Sequence, residues 1–238
     1  MAFVPVRLLL ESRHLNRLPN WRKNGETRQR MKLDLPRLYP ITDRKISVLS
    51  HSEQVARLVA GGATLIQLRD KHASPREFYE EAEAALRVAR GRSVRLIIND
   101  RADIALALGA DGVHLGQDDL PPEAARRLLG DRVIIGYSTH NLAQVQEAAL
   151  MPIDYLAIGP IYATATKANP DPVVGLDGLR RVREQLDPRL PLVAIGGITM
   201  ANARAVLDAG ADVVAVVGAL VSAPDEIERR TVEFFSQL

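Results

Sequence analysis

The chain alternates short β-branched segments with amphipathic ones, and three of the joints between them are nearly identical. Segments 60–64, 108–112 and 209–213 read AGGAT, LGADG and AGADV. In each, the first glycine suits the left-handed residue that ends a helix, so these joints lead from a helix into a strand. Strand–helix alternation with strands that are apolar on both faces predicts a parallel sheet.

Eight such units can be read after Met31. Helices with apolar spacing of three and four are predicted over 53–60, 75–89, 101–108, 122–129, 142–149, 176–186, 201–209 and 225–235. Strands are predicted over 38–42, 64–69, 95–99, 112–115, 133–138, 155–160, 192–196 and 213–218. Eight units in about 200 residues predict a single α/β domain, a closed (β/α)8 TIM barrel. A doubly wound open sheet is the alternative, although it would leave two edges and usually has fewer strands.

The basic character of the chain comes from its N-terminal end. Residues 1–30 hold seven Lys and Arg against two Glu, a net charge of +5, so the rest of the chain carries −3 of the total +2. A mildly acidic body excludes a basic nucleic-acid-binding face. We therefore expect residues 1–30 to be an extension, disordered or partly ordered, and residues 31–238 to be the catalytic domain. A transit peptide or a start at Met31 are the other interpretations of the extension.

Composition narrows the chemistry further. With no cysteine, the chain has no disulfides, thiolate nucleophiles or thiolate metal ligands, which a reducing cytosol permits. No apolar run reaches the roughly 18 residues of a membrane span. We expect a cytoplasmic protein that binds small molecules, with neither membrane nor nucleic acid as partner. Its oligomeric state stays open, a homo-oligomer included.

Polar residues alternate at the end of the second predicted strand. Gln67, Arg69 and Lys71 have the two-residue period that places side chains on one face. Two cations and an amide at the end of a buried strand indicate an anion site, and a solvated strand end is the plainer alternative. The same alternation predicts that Leu68 and Asp70 face the surrounding helices.

Active sites of (β/α)8 barrels lie at the carboxyl ends of the strands, where this chain has its unusual residues. Asp100 and Asp119 follow the third and fourth strands, and such carboxylates suit Mg²⁺ with substrate phosphate oxygens. Helix capping is the alternative for both aspartates. Arg69, Lys71 and Lys167 would complete a clamp for a diphosphate.

A second phosphate site is predicted after the last two strands. Gly197 and the Val217–Gly218 amides could approach an anion with no side chain intervening, although tight turns also use glycine. His140 could contact substrate, but a helix cap or surface histidine is the plainer interpretation. We expect His114 to be a packed histidine and Arg101 to pair locally.

From about Leu38 onward the chain resembles the thiamine-phosphate synthase family. The segments that carry the resemblance are QLRDK at 67–71, ND at 99–100, GVHLGQDD at 112–119, GYSTH at 136–140, GPIY at 159–162, TATK at 164–167 and GGI at 196–198. Their order and spacing cover nearly all of the predicted barrel. The resemblance implies an enzyme that joins 4-amino-5-hydroxymethyl-2-methylpyrimidine diphosphate to a thiazole phosphate, giving thiamine phosphate and pyrophosphate.

The resemblance also implies roles for individual residues. Asp100 and Asp119 would hold Mg²⁺, while Arg69, Lys71, Ser138 and Lys167 would be catalytic. Family members often have serine where this chain has Gly218. The glycine lacks the serine hydroxyl, a hydrogen-bond donor, and keeps only the backbone N–H. The pyrimidine diphosphate would be bound by Gln67, Arg69, Lys71, Asn99, Ser138 and Lys167, and the thiazole phosphate by Thr164, Thr166, Gly197, Val217 and Gly218.

Such a reaction needs no protein nucleophile. The electron-rich aminopyrimidine expels pyrophosphate, and the thiazole nitrogen attacks the resulting cation while the protein positions both and neutralises charge. Two rivals stay open: a metal-independent thiazole tautomerase, which lacks the aspartate pair and the diphosphate-binding cations, and a non-catalytic sensor of a phosphate ligand.

Overall fold

The eight predicted strands close into a parallel barrel in which the strands follow in chain order and the last pairs with the first. This computed structural model describes residues 33–164 and 171–238. The barrel confirms the (β/α)8 prediction, and the open-sheet alternative is wrong. The strands are β1 Leu38–Thr42, β2 Leu65–Leu68, β3 Arg95–Asn99, β4 Gly112–Leu115, β5 Ile134–Thr139, β6 Tyr155–Ile158, β7 Leu192–Ile195 and β8 Val213–Val216.

Helices cover the outside of the barrel. They are α1 Arg44–Ser47, α2 His51–Ala60, α3 Pro75–Ala89, α4 Ala102–Leu108, α5 Pro122–Leu129, α6 Leu142–Ala148, α7 Gly175–Gln185, α8 Met200–Asp208, α9 Gly218–Val221 and α10 Ile227–Gln237, with a 3₁₀ turn at Pro224–Glu226. The four-residue helices α1 and α9 were not predicted because they are too short to show a helical period. Helix α2 begins two residues before its predicted start because Ser50 and Glu53 form a capping box, which typically stabilises a helix by about 1 kcal/mol.

Alternate strand residues build two separate apolar layers. Inward-facing residues such as Ile41, Leu65 and Val193 fill the barrel, whereas Leu68 and Ile98 belong to the layer between strands and helices. Because both faces are covered, the strands are apolar almost throughout, as expected for a parallel sheet. The alternation fixes which residues can reach the inside of the barrel.

The glycine joints follow the prediction at two of the three positions. Gly109 ends α4 with φ 60°, and Gly210 follows α8 with φ 108°. At the first joint the prediction was wrong by one residue, since Gly61 has φ −77° and Gly62 takes the positive φ of 97°. Gly61 is needed for packing instead, because a Cβ there would lie 2.5 Å from Cβ of Thr231 on α10.

The N-terminal extension predicted over residues 1–30 lies outside the described residues, so its boundary and its state stay predictions. Within 33–164 and 171–238, no helix is both long enough and apolar enough to cross a membrane.

Candidate active site

The described candidates lie at or just beyond the carboxyl ends of the barrel strands. Gln67, Asn99 and Ser138 are strand residues on the inward-facing alternation of β2, β3 and β5, and the other candidates follow strand ends. Those others are Arg69, Lys71, Asp100, Asp119, Thr164, Gly197, Val217 and Gly218. Thr166 and Lys167, predicted for the thiazole phosphate and the diphosphate, lie outside the described residues. The structure thus gathers the candidates at one end of the barrel.

The predicted orientation of Leu68 and Asp70, toward the surrounding helices, is confirmed. Leu68 is fully buried in the outer layer, and the Asp70 carboxylate accepts hydrogen bonds of 2.9 Å from the backbone N–H groups of His72 and Ala73. Asp70 also lies 3.7 Å from Nε2 of buried His51 on α2 and 3.6 Å from Arg44 on α1. Asp70 is therefore held by the helical layer, on the side opposite to Arg69 and Lys71.

Arg69 is held by an aspartate that the sequence interpretation missed. Its guanidinium donates to Oδ2 of Asp43, which follows β1, while Oδ1 of Asp43 accepts from the Ile46 N–H and caps α1. Both side chains are largely buried, with 18% and 9% exposed. Alternation along β1 could have found Asp43, because Tyr39, Ile41 and Asp43 share the inward face.

Lys71 pairs with one of the two aspartates predicted to hold Mg²⁺. Its ammonium forms an ion pair with Oδ2 of Asp100, which follows β3. The Asp100 N–H donates to the His114 carbonyl oxygen at 2.8 Å, and Asp100 has a left-handed φ of 64°. Aspartate and asparagine tolerate this conformation better than most residues. The Asp100 carboxylate therefore pairs with Lys71 from a backbone conformation that few other residue types adopt.

Asp100 and Asp119 are brought together. Their carboxyl groups lie within hydrogen-bonding reach of each other. The pKa of Asp119 is raised, mainly because the group is buried and also because the Asp100 carboxylate lies beside it. The backbone N–H of Gly116 donates to Asp119 Oδ2 at 2.7 Å. The capping alternative is wrong for both residues, because Arg101 and Pro121 occupy the N-cap positions of α4 and α5.

The aspartate pair fits a hard divalent cation. Three carboxylates, those of Asp43, Asp100 and Asp119, lie near two cations, Arg69 and Lys71, so the acidic groups outnumber the basic ones. Carboxylate oxygens are the ligands that Mg²⁺ prefers, and one or two of them per ion are usual. Among the described residues no group of three or more His, Asp or Glu forms a ready metal cage. The remaining ligands would have to come from substrate and water.

A buried chain of hydrogen bonds crosses the inside of the barrel. Gln67 Nε2 donates to Tyr39 Oη at 3.1 Å, and the Tyr39 and Tyr155 hydroxyl oxygens are 3.0 Å apart. Tyr155 Oη lies 2.9 Å from His114 Nδ1, and His114 Nε2 lies 2.8 Å from Ser138 Oγ. Two predicted pyrimidine-binding residues, Gln67 and Ser138, are therefore the two ends of one network.

His114 is a packed histidine, as predicted, but it is also the centre of this network. Its ring stacks on Tyr155 with centroids 5.5 Å apart and planes 22° apart. Burial lowers the pKa of His114 to about 4, so the imidazole is neutral near pH 7. The signal that could have found the network is the presence of Tyr39 and Tyr155 in otherwise aliphatic strands, since buried tyrosine hydroxyls need partners.

The predicted second phosphate site adjoins the segment after β6. The N–H groups of Ile161 and Tyr162 donate to the carbonyl oxygens of Ile195 and Gly196 at 2.9 and 3.0 Å, so this segment continues alongside β7. Gly197 has φ 65°, and a Cβ there would lie 2.6 Å from the Ala163 carbonyl oxygen. Gly197 thus lies against the residues that lead to Thr164.

The two secondary candidates have local partners. His140 Nδ1 donates to the Gly159 carbonyl oxygen at 2.7 Å and lies 3.5 Å from Asp171, while Asn141 caps α6. Arg101 pairs with Asp103 through two hydrogen bonds of 2.8 and 2.5 Å. His140 is therefore not a helix cap, and Arg101 pairs locally, as predicted.

Comparison with known proteins gives consistent results. A family profile described as thiamine monophosphate synthase matches residues 38–220. The chain is 50% identical over 213 residues to thiamine-phosphate synthase of Koribacter versatilis, covering 87% of this chain and 97% of the relative. It is 49% identical over 190 residues to that of Chloroflexus aurantiacus, covering 79% and 87%. Thiamine phosphate pyrophosphorylase from Pyrococcus furiosus superposes with a TM-score of 0.75 at 38% identity, covering 84% of this chain and 94% of that one.

Proposed function

The chain is an enzyme of the thiamine monophosphate synthase family, and we propose that it couples an aminopyrimidine diphosphate to a thiazole phosphate with Mg²⁺-assisted release of pyrophosphate. The observation that carries the mechanistic part is the cluster of Lys71, Asp100 and Asp119 at the mouth of the barrel. It joins two carboxylates suited to a hard cation with an ammonium suited to a phosphate.

The first proposed step is binding of the diphosphate. Arg69 and Lys71 pair with carboxylates in the structure, and a diphosphate offers a larger negative charge and more acceptor oxygens. Asp100 and Asp119 would hold Mg²⁺, which when bound neutralises charge on the leaving pyrophosphate. The Lys71 ammonium, which pairs with Asp100 in the structure, would pair with the diphosphate instead. Lys167, carried over from the family resemblance, would be a third cation.

The second proposed step is heterolysis of the bond between the pyrimidine methylene carbon and the diphosphate oxygen. The electron pair leaves with pyrophosphate, and the ring amino group stabilises the cation that forms. Gln67, Asn99 and Ser138 would hold the pyrimidine ring, and Arg69, Lys71 and Ser138 would stabilise developing charge. Gln67 and Asn99 are buried on the inward face, which suits a site that must keep water from the cation.

The third proposed step is capture of the cation by the thiazole nitrogen. The phosphate of the thiazole would be held by Thr164, Thr166 and backbone N–H groups at Gly197, Val217 and Gly218. The two glycines follow the neighbouring strands β7 and β8, and their backbone can approach a phosphate closely because they have no side chain. No side chain needs to form a covalent intermediate, which agrees with a chain that has no cysteine.

Two other functions are less well supported. A thiazole tautomerase would not need the Asp100–Asp119 pair or Lys71 beside it, and a sensor would not need to neutralise a leaving group. We propose that the protein works in the cytoplasm, since a chain without cysteine suits a reducing compartment.

A single assay tests the proposal. Purified protein is mixed with both substrates and Mg²⁺, and release of pyrophosphate is followed together with formation of thiamine phosphate. We expect both products in equal amounts, and none when Mg²⁺ is chelated. Isomerisation of the thiazole without pyrophosphate would favour the tautomerase instead.

A further inference from the structure

The buried network that joins Gln67 to Ser138 uses every hydroxyl and ring nitrogen along its length. Tyr39 Oη has two partners, Gln67 Nε2 and Tyr155 Oη, and Tyr155 Oη has two, Tyr39 Oη and His114 Nδ1. Each hydroxyl has one hydrogen to donate, so it donates to one partner and accepts from the other. The direction of one hydrogen bond therefore sets the direction of all the others.

The Gln67 amide fixes the donor-to-acceptor direction of the hydrogen bonds in this network. Because Nε2 donates to Tyr39, the Tyr39 hydroxyl donates to Tyr155, and the Tyr155 hydroxyl donates to His114 Nδ1. A neutral imidazole that accepts at Nδ1 carries its hydrogen on Nε2, which then donates to Ser138 Oγ. Three groups remain available at the ends: the side-chain oxygen Oε1 of Gln67 as an acceptor, and the second Nε2 hydrogen of Gln67 and the Ser138 hydroxyl hydrogen as donors.

We call this network, from Gln67 to Ser138, the relay. We propose that the relay determines substrate specificity: Tyr39, Tyr155 and His114 are positioning residues that make the site select an aminopyrimidine over an oxopyrimidine. The inference rests on the proposed function, in which Gln67 and Ser138 bind the pyrimidine. An aminopyrimidine presents amino N–H donors and ring nitrogen acceptors, which match the Gln67 side-chain oxygen and the donor hydrogens of Gln67 and Ser138. An oxopyrimidine has a carbonyl acceptor in place of the amino donor, which opposes the Gln67 side-chain oxygen and leaves that oxygen unpaired.

The packing around the relay keeps it in place. Tyr39, Tyr155, His114 and Gln67 are at most 7% exposed, so water cannot substitute for a missing partner at low cost. The Tyr39 and Tyr155 rings meet edge to face at 6.0 Å and 84°. A Cβ at Gly136 would lie 2.0 Å from Tyr155 Cζ, so only glycine leaves room for that ring. The five members of the relay come from five different strands, so the relay connects these strands through the inside of the barrel.

The variant Y155F tests the inference because it keeps the ring and removes only the central hydroxyl. The measured quantity is the ratio of kcat/KM for the aminopyrimidine diphosphate to that for its 4-oxo analogue, with Y137F as the matched control. Tyr137 is a buried tyrosine on the outer face of β5, outside the relay. We expect the ratio to fall at least tenfold in Y155F, to fall also in Y39F, and to stay unchanged in Y137F. KM for the thiazole phosphate should not move.

The tautomer of His114 distinguishes the proposed role of the relay from a merely structural one, because packing alone would not determine which ring nitrogen carries the hydrogen. In wild type, ¹⁵N NMR of the imidazole nitrogens should show hydrogen on Nε2 only, and Y155F should show a mixture. Hydrogen on Nδ1 in wild type, or an unchanged kcat/KM ratio in a folded Y155F enzyme, would overturn the inference. Turnover by wild type in the same assay separates the two proposals, because an active wild type with an unchanged ratio overturns the relay alone. An inactive wild type overturns both.

Discussion

Lys71 and Asp100 form an ion pair at the mouth of the barrel, between the segments that follow the neighbouring strands β2 and β3. The Asp100 carboxyl group is also the neighbour of Asp119, so one carboxylate lies between an ammonium and a second acid. Asp100 therefore links the residues proposed to bind the diphosphate with those proposed to hold Mg²⁺. Changes at Asp100 should affect the two functions together.

Removal of the Asp100 carboxylate should abolish Mg²⁺-dependent turnover without unfolding the protein. We expect D100A and D100N each to lower kcat at least 100-fold, since charge neutralisation by a metal typically contributes several kcal/mol. The asparagine variant matters because Asp100 has φ 64°, which alanine tolerates poorly. Pyrophosphate release is measured across a Mg²⁺ titration.

The control for this prediction is D103N. Asp103 is an exposed neighbour on α4 that pairs with Arg101 and lies outside the proposed site. It should retain wild-type kcat and Mg²⁺ dependence. Near-normal rates of D100N at millimolar Mg²⁺ would show that Asp100 does not hold the metal.

The Asp43–Arg69 pair should act on catalysis through Arg69. Removing the charge in D43N leaves the guanidinium without its partner, and we expect kcat/KM for the pyrimidine diphosphate to fall about tenfold because Arg69 is no longer oriented. In the background of R69A, D43N should cost nothing more. An equal loss in both backgrounds would mean that Asp43 acts independently of Arg69.

Stability separates the two roles of Asp43. Asparagine can still accept the Ile46 N–H and cap α1, whereas alanine cannot. D43A should therefore unfold at lower urea than D43N, by about 1 kcal/mol in free energy of unfolding. Identical stabilities of the two variants would contradict the capping role.

The sequence predicted the barrel because strand composition and glycine joints are local signals. It also predicted the orientation of the Asp70 side chain, because alternation along one strand does not depend on the neighbouring strands. What it missed are contacts between strands. The Tyr39 and Tyr155 hydroxyls are 116 residues apart in the chain, and a single sequence shows which face a residue occupies but not what it meets across the barrel.

The position of Gly218 tests the proposed thiazole phosphate site. A Cβ there would meet no heavy atom within 4 Å, so serine should fit. If the Gly218 amide binds the phosphate, G218S adds a hydroxyl donor, and KM for the thiazole phosphate should fall about fivefold, the effect of one added hydrogen bond of about 1 kcal/mol. The control is G218A, which fills the same space without a hydroxyl and should leave KM unchanged. An unchanged KM in G218S would place the phosphate elsewhere.

Buried His114 should make the protein less stable in mild acid. Its pKa is lowered from 6.5 to about 4 by burial, so between these values the unfolded chain binds a proton that the folded chain does not. The free energy of unfolding therefore falls as pH falls through this window, by about 2 kcal/mol at pH 5 for this residue. Buried His51, whose pKa is also lowered by burial, changes stability in the same direction.

The variant H114Q isolates the contribution of His114. It should be less stable than wild type at pH 7.5, because the relay loses a member, but the difference in free energy of unfolding should shrink by about 2 kcal/mol at pH 5. Urea denaturation at the two pH values measures both quantities, and H72Q, which removes an exposed histidine, should follow wild type at each. A difference between H114Q and wild type that is the same at pH 7.5 and pH 5 would mean that His114 keeps its ordinary pKa in the folded protein.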